Sequence, residues 1–235
     1  MDKKYLESTR MLNYDSEMIK ALIGRRKWSE LDEFYKIKEV YDFVQNEILF
    51  GYNSSDLLTA EEVLKDGYGQ CNTKATLLMT LLRGVGIPCR LHGFEVSKYF
   101  QRGATNAIIS ALAPETIVHT WAEVFYENKW LALEGVITDR KYVAAVKKKY
   151  NNVVKEFKLY AIATSDLSTL NIEWTGADTY VQKEAIVKDY GTFANPDEFF
   201  SAHPQKWSRF KNFIYSYVVR KLMTRNVARM RKRSE

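Results

Sequence analysis

Three residues of this 235-residue chain have side chains that could together perform nucleophilic chemistry, and the first is Cys71. It stands where the glycine-containing stretch "DGYGQ" gives way to a long apolar helical pattern, so its thiol is predicted to lie at the first turn of a helix. The partial positive charge of a helix N-terminus stabilises a thiolate, which is the nucleophilic form of cysteine. Simple packing is the alternative, because free cysteine is among the residues most often buried.

A nucleophilic thiol needs a base within hydrogen-bond reach, and the chain has three histidines. His203 precedes a proline in a polar stretch and is predicted to be an exposed loop residue. His92 lies within a strand pattern, on the same face as Arg90 and Phe94, and is predicted to be a hydrogen-bonded structural histidine. His119 opens the strand "HTWAEVFY" and is therefore the candidate base.

The third residue follows from a predicted hairpin. The strand of His119 and the next strand, "WLALEGV", are separated by Glu127 and Asn128, which we interpret as a two-residue turn. This register places Glu134 diagonal to His119 on the same face, within reach of a long side chain. A carboxylate there orients the imidazole and stabilises the imidazolium. The triad of Cys71, His119 and Glu134 depends on this register, because a one-residue slip would break it.

Helical and strand patterns indicate how these residues are positioned. Residues 30–50 are typical of a long amphipathic helix with Ser29 as its N-cap, and Thr59 is predicted to cap a short helix, "AEEVLKD". After Cys71 the apolar residues nearly surround the helix, which should therefore be buried. "CRLHGFEV" begins a period-two pattern, "TDRKYVAAVKKKY" returns to helix, and residues 152–195 give no clear prediction. Helices followed by strands imply an α+β fold with an antiparallel sheet on the Cys71 helix.

Composition limits the class of protein. With 46% apolar residues the chain can bury a sizeable core, and its two cysteines argue for a reducing compartment rather than a disulfide framework. The charged first residues lack the apolar core of a signal peptide, and no apolar run approaches the ~20 residues of a transmembrane segment. We therefore expect a cytoplasmic protein. No metal-ligand spacing and no glycine-rich phosphate loop appears, so neither a metal nor a cofactor is predicted.

The basic charge is concentrated at the C-terminus. Residues 206–235 hold ten Lys or Arg and one acidic residue, whereas the other residues hold 25 and 28. Apolar residues recur at helical spacing from Trp207 to Val218, which predicts that one face packs on the body. Beyond Leu222 the pattern thins, which predicts a solvated end that takes no part in catalysis. A surface for an anionic partner (acidic protein, nucleic acid or anionic lipid) is the alternative.

Two stretches resemble the core of the transglutaminase-like superfamily: "GYGQCNTKATLLMTLLRGVGIPCR" and "HTWAEVFYENKWLALEG". The resemblance covers about residues 38–136, and "DTYVQKEAI", "FANPDEFF" and "NVARMR" are similar to a bacterial branch of that family. It implies a papain-like α+β fold, in which the buried cysteine helix packs on an antiparallel sheet, with added helices at both ends. We interpret residues 1–204 as the catalytic domain and residues 205–235 as a basic C-terminal helical extension.

The resemblance also implies a Cys-His-Asp triad, which carries over to Cys71 and His119. The family usually has aspartate where this chain has Glu134, and the extra methylene shifts the carboxylate. Asp139 is therefore the alternative third member, while Glu123, within the family motif, is interpreted as structural.

The implied activity is cysteine-dependent acyl transfer on amide bonds through a thioester, with a protein or peptide as substrate. Water as second nucleophile would make the protein a protease or amidase, and an amine would make it a transglutaminase. The backbone N–H of Cys71 is a natural hydrogen-bond donor to the oxyanion. Gln70 and Tyr52 are candidates to support it. The alternative is that Gln70 only caps the helix and Tyr52 is simply packed. A non-catalytic transglutaminase-like binding module is the alternative function.

Overall fold

A helix that carries Cys71 lies at the centre of the fold. The structure is a computed structural model that describes residues 2–105, 113–152, 156–204 and 214–234. Helix α4, Cys71–Gly84, packs on the sheet described next. Its other sides contact helices α1 (Glu17–Arg26), α2 (Glu33–Asn46) and α3 (Ala60–Asp66). Every residue from Asn72 to Arg83 is buried, as the near-continuous apolar pattern predicts. The predicted α+β fold is confirmed.

The main sheet is antiparallel and has four strands. Its order is β5 (Lys129–Ala132), β4 (Thr116–Tyr126), β3 (Cys89–Ser97) and β8 (Ile186–Phe193). Strand β8 comes from the part of the chain for which the sequence gives no clear prediction. It joins the sheet through β3, so the chain returns to the sheet after a long excursion.

The hairpin of β4 and β5 has the register that its two-residue turn predicts. Glu127 and Asn128 both adopt left-handed backbone angles, with φ values of 48° and 61°, as a tight hairpin turn requires. The predicted second strand is too long, however. Strand β5 ends at Ala132, and Glu134–Ile137 form a 3-10 turn instead of continuing the ladder.

The remaining elements surround this core. Helix α2 begins after Asp32, which accepts a hydrogen bond from the Tyr35 N–H; the predicted cap, Ser29, lies in a separate 3-10 turn. Two short strand pairs, β1 with β2 and β6 with β7, connect the larger elements. Their bounds, with those of the helices that cover the core, are α1 Glu17–Arg26, α2 Glu33–Asn46, β1 Leu49–Phe50, α3 Ala60–Asp66, β2 Tyr68–Gly69, α5 Arg140–Lys149, β6 Phe157–Leu159, β7 Ile162–Thr164 and α6 Pro196–Ala202.

The C-terminal segment is helical and packs on the body. A π-helical turn, Tyr215–Val219, continues into helix α7, Arg220–Arg231, which contacts α5. The predicted packed face is wrong where the structure describes it, because Ile214, Tyr217 and Val218 are exposed and other residues of the segment make the contact. Trp207 and Phe210, which also belong to that predicted face, lie outside the described residues. Within the ranges that the structure describes, no helix combines the length and apolarity needed to cross a membrane.

The prediction that the chain is solvated beyond Leu222 is wrong. Met223, Val227 and Met230 are buried, with 4%, 1% and 3% of their surfaces exposed. They recur at i, i+4 and i+7 and so form one apolar stripe on α7. The basic residues between them lie on the other faces of the helix, which is why a charge-rich sequence still docks.

An ion pair holds the end of this helix. The Arg231 guanidinium contacts both oxygens of Asp139, with Nη2 at 2.6 Å from Oδ2, and donates to the Phe50 carbonyl at 2.9 Å. Asp139 is also the N-cap of α5, where its Oδ1 accepts from the Tyr142 N–H. The pair is well shielded, since the two side chains are 14% and 3% exposed.

Candidate active site

Cys71 is the first residue of α4 and is partly exposed at one wall of a cavity of about 370 Å³. The turn that precedes it needs glycine at Gly69, because a Cβ there would lie 2.8 Å from atoms of Thr73 and Lys74. His119 and Tyr52 line the same cavity. The structure therefore brings the predicted nucleophile and base to one cleft. No three His, Cys, Asp or Glu side chains of the described ranges are grouped as metal ligands.

His119 and Glu134 form a fully buried pair. The Nε2 atom of His119 lies 2.9 Å from Oε1 of Glu134, and the two side chains are 1% and 0% exposed. The other carboxylate oxygen, Oε2, accepts hydrogen bonds from the backbone N–H groups of Val181 and Gln182, at 2.8 and 3.1 Å. Both oxygens of Glu134 are thus satisfied, and the carboxylate is fixed against the imidazole.

The electrostatics of the cleft favour a charged imidazole. Burial lowers the pKa of His119, but the nearby Cys71 and Glu134 outweigh burial and raise this pKa to about 10. Nδ1 of His119 has no hydrogen-bond partner among the described residues. The thiol is close enough to raise this pKa both through its charge and through a side-chain contact with the imidazole.

Asn72, which the sequence interpretation missed, ties the cysteine helix to the histidine strand. Its Nδ2 donates to the Val118 carbonyl at 3.2 Å, and its Oδ1 accepts from the Thr120 hydroxyl at 3.0 Å. Val118 and Thr120 flank His119, so one side chain fixes α4 against β4 on both sides of the base. In the sequence, only its position next to Cys71 could have indicated this role of Asn72.

Asp139 does not reach the imidazole. Its carboxylate accepts from the backbone N–H groups of Phe50 and Tyr142 and from Arg231. Burial raises the pKa of Asp139, but the hydrogen bonds and charge of Arg231 outweigh burial and hold this pKa below its usual value. Asp139 therefore lies away from the imidazole, whereas Glu134 lies beside His119.

The two candidate supporting donors differ. Gln70 is committed to the neighbouring loop, because its Oε1 accepts from the Asn53 N–H at 2.7 Å and its Nε2 donates to Asp56 at 3.0 Å. The Tyr52 hydroxyl is buried, lines the cavity and has no hydrogen-bond partner in the described part of the chain. Burial and then the Cys71 charge raise the pKa of Tyr52, so its hydroxyl stays protonated and can donate.

The other two histidines have structural surroundings. His92 contacts Glu123 through Nδ1 at 2.7 Å and Asp189 through Nε2 at 2.8 Å, as expected for a hydrogen-bonded structural residue. His203 is not simply an exposed loop residue, because its ring stacks on Tyr190 with centroids 4.1 Å apart. Neither histidine lines the cavity of Cys71.

The comparison with protein families agrees with this geometry. Residues 23–135 match the family model of the transglutaminase-like superfamily. The matched region contains Cys71, His119 and Glu134, and it begins earlier than the sequence resemblance, at α1 rather than within α2. This part of the chain is therefore similar to the transglutaminase-like domain.

Two similar solved structures represent different activities. A proposed cysteine protease from Cytophaga hutchinsonii is 15% identical, with a TM-score of 0.47, over 83% of this chain and 47% of that one. A red sea bream transglutaminase is 17% identical, with a TM-score of 0.34, over 98% of this chain and 40% of that one. The chain thus spans less than half of either structure. No curated protein matches the sequence.

Proposed function

We propose that the protein is a cysteine-dependent acyl-transfer enzyme that acts on amide bonds through a thioester. One observation carries this proposal: a buried, carboxylate-held His119 shares a cleft with Cys71, and its Nδ1 is left without a hydrogen-bond partner among the described residues. A thiol at a helix start beside an imidazole is the arrangement that cysteine nucleophiles require.

The reaction proceeds in two steps. Cys71 Sγ attacks the amide carbonyl, and the carbon–nitrogen bond breaks as the His119 imidazolium gives its proton to the leaving amine. This leaves a thioester on Cys71 and a neutral imidazole. The second nucleophile then attacks the thioester carbon, gives a proton to His119 and releases Cys71 as thiolate. Glu134 holds the imidazole in the orientation that both steps need.

Two donors serve the oxyanion in this proposal. The Cys71 N–H belongs to the first turn of α4, where backbone N–H groups have no partner within the helix. The Tyr52 hydroxyl is the second donor, because it stays protonated and is unpaired among the described residues. Gln70 acts indirectly, since its amide holds residues 53–56 beside the start of α4.

The second nucleophile decides between two forms of this activity. Attack by water makes the protein a protease or amidase, and attack by an amine makes it a transglutaminase. We propose a protein or peptide substrate and a cytoplasmic location. The division into a catalytic domain, residues 1–204, and an extension, residues 205–235, is likewise a proposal.

Acylation by an activated ester tests this function. We expect p-nitrophenyl acetate to place one acetyl group on Cys71, measured by peptide mass mapping, and Cys71→Ala to abolish it. His119→Gln should slow it strongly. Adding glycine ethyl ester then distinguishes acyl transfer to an amine from hydrolysis. If Cys71 is acetylated no faster than Cys89, the protein is not an acyl-transfer enzyme and the binding-module alternative is favoured.

A further inference from the structure

The C-terminal helical segment forms one wall of the cavity that contains Cys71. Tyr215, Val219 and Met223 all line this cavity. They are spaced at i, i+4 and i+8 and lie along one side of the segment, across the change from π-helix to α-helix. The family match ends at residue 135, so this wall lies outside the matched transglutaminase-like domain.

Hydrogen bonds fix this wall to the loop that contains Tyr52 and Ser54. The Ser216 hydroxyl donates to the Ser54 carbonyl at 3.0 Å, and the Thr224 hydroxyl accepts from the Tyr52 N–H at 3.0 Å. Together with the Arg231–Asp139 pair at the far end of α7, these contacts hold the segment at three points. The C-terminal segment is therefore a fixed part of the cleft wall.

The wall borders a particular side of the cleft. Tyr215, Tyr52 and Cys71 line one cavity, and Thr224 on the segment accepts from the Tyr52 N–H, so the segment adjoins Tyr52, the proposed oxyanion donor. His119 must face the leaving group, because it gives that group its proton. Because an oxyanion donor contacts the carbonyl of the acyl group, the segment beside Tyr52 borders the acyl part of the substrate.

The surroundings of this side are mainly apolar. A cavity of about 370 Å³ is within the range of sites that bind small molecules or single side chains. The charged groups at its edge are already engaged: Lys98 pairs with Glu115 and donates to the Ala113 carbonyl, and Asp56 accepts from Gln70. The apolar side chains that line it include Phe50, Val96, Phe100, Phe200, Val219 and Met223.

We propose that the C-terminal segment completes an acyl-side subsite that selects a large apolar substrate side chain, with Met223 and Val219 as specificity-determining residues. This inference rests on the proposed acyl-transfer function. Discrimination arises because a large apolar group displaces water from the apolar walls, whereas a methyl group leaves them unfilled.

Two inactivators that differ only in side chain test the subsite, and iodoacetamide reports on the thiol independently. We would measure second-order inactivation rates with N-acylated phenylalanyl and alanyl chloromethyl ketones. The wild-type ratio of these rates should be about tenfold or more. Met223→Ala should reduce this ratio about threefold or more without changing the iodoacetamide rate, because it removes apolar contact but leaves the thiol in place.

Met230→Ala is the matched control, because Met230 is equally buried on the same helix but does not line the cavity. It should leave the ratio unchanged, and Val219→Ala serves as a second test if Met223→Ala does not fold. A wild-type ratio near one with normal iodoacetamide alkylation overturns the subsite alone, as does an equal effect of Met230→Ala. Absence of selective iodoacetamide alkylation at Cys71 overturns the proposed function, and the subsite falls with it.

Discussion

Glu134 reaches His119 from a 3-10 turn and not from a strand. A glutamate side chain is one methylene longer than aspartate, so a continued strand would carry its carboxylate differently past the imidazole. The chain instead leaves the ladder after Ala132, and the backbone N–H groups of Val181 and Gln182 hold the carboxylate from its other side. The local departure from a strand thus accommodates the longer side chain.

Removing the charge of Glu134 should impair the site more than removing any other nearby carboxylate. In Glu134→Gln the new NH₂ group must face either the two backbone N–H groups or the imidazolium, and both are donors. We expect acetylation of Cys71 by p-nitrophenyl acetate to slow about 100-fold or more, because loss of the acidic member of a triad typically has effects of this size.

Glu123→Gln is the matched control for this change. Glu123 is on the same strand as His119 but accepts from Arg90 and His92, outside the cavity. Its acetylation rate should remain within about threefold of wild type, as expected for a residue that does not touch the reacting atoms. Equal losses in the two variants would show that Glu134 has no special role.

At the residue scale the sequence predicts what local spacing determines. Cys71 follows from its place at a helix start, and Glu134 follows from the turn at Glu127 and Asn128, whose left-handed conformation determines the hairpin register. The N–H groups that hold Glu134 lie almost 50 residues later in the chain, at Val181 and Gln182. No spacing rule connects them, so this half of the carboxylate's environment could not be predicted.

At the scale of elements, the docking of α7 had a sequence signal that charge obscured. Met223, Val227 and Met230 recur at helical spacing, yet Arg225, Arg229 and their basic neighbours made a solvated end the simpler interpretation. The partner of α7 is α5, whose N-cap Asp139 receives Arg231. That contact joins residues 92 positions apart, which only the folded structure reveals.

The ion pair of Asp139 and Arg231 should contribute measurably to stability. Asp139→Asn keeps a capping oxygen for α5 but removes the carboxylate charge that pairs with Arg231 in a shielded site. We expect the free energy of unfolding at pH 7 to fall by about 3–5 kcal/mol, the usual cost of breaking a buried pair. Glu61→Gln, which removes a surface pair with Lys65, should cost far less than this.

The pH dependence of the unfolding free energy of Asp139→Asn gives a second test of this pair. Because Arg231 holds the folded-state pKa of Asp139 below its usual value of 3.8, the stabilisation is present above that value and is lost as pH falls through the lower pKa. The difference in unfolding free energy between wild type and Asp139→Asn should therefore shrink in acid. A difference that is constant from pH 7 down to pH 3 would contradict the assigned role of the pair.

At the scale of the whole molecule, the described part of the C-terminal segment packs on the body of the protein. Truncation after Leu222 removes the buried stripe of α7 and leaves Asp139 without Arg231. We expect the free energy of unfolding, measured by urea denaturation, to fall by more than about 3 kcal/mol, because several buried apolar side chains and an ion-pair partner are lost.

Truncation after Arg231 is the matched control. It removes the basic residues Lys232 and Arg233 but keeps the apolar stripe of α7 and the ion pair of Asp139 with Arg231. Its stability should stay close to that of the full chain. Equal losses would mean that net charge, not docking, controls stability. An anionic partner for the exposed Arg225 and Arg229 stays a prediction, because no structural observation supports it.

The central claim is that Cys71 reacts as a thiolate paired with the His119 imidazolium. It is tested most directly by the rate of Cys71 alkylation with iodoacetamide from pH 6 to pH 9, in wild type and in His119→Gln. Since the pKa of His119 is raised to about 10, its imidazolium persists across this range. The wild-type rate should vary by less than about threefold, whereas an ordinary thiol with a pKa of about 8.5 loses nearly tenfold per pH unit below that value.

His119→Gln should therefore show the steep profile of an ordinary thiol, and its rate should be far below that of wild type at pH 6. Cys89, which is buried and whose pKa is raised by burial, should remain unlabelled in the native protein throughout. A wild-type profile as steep as that of His119→Gln would contradict the ion pair and, with it, the assignment of Cys71 as the activated nucleophile.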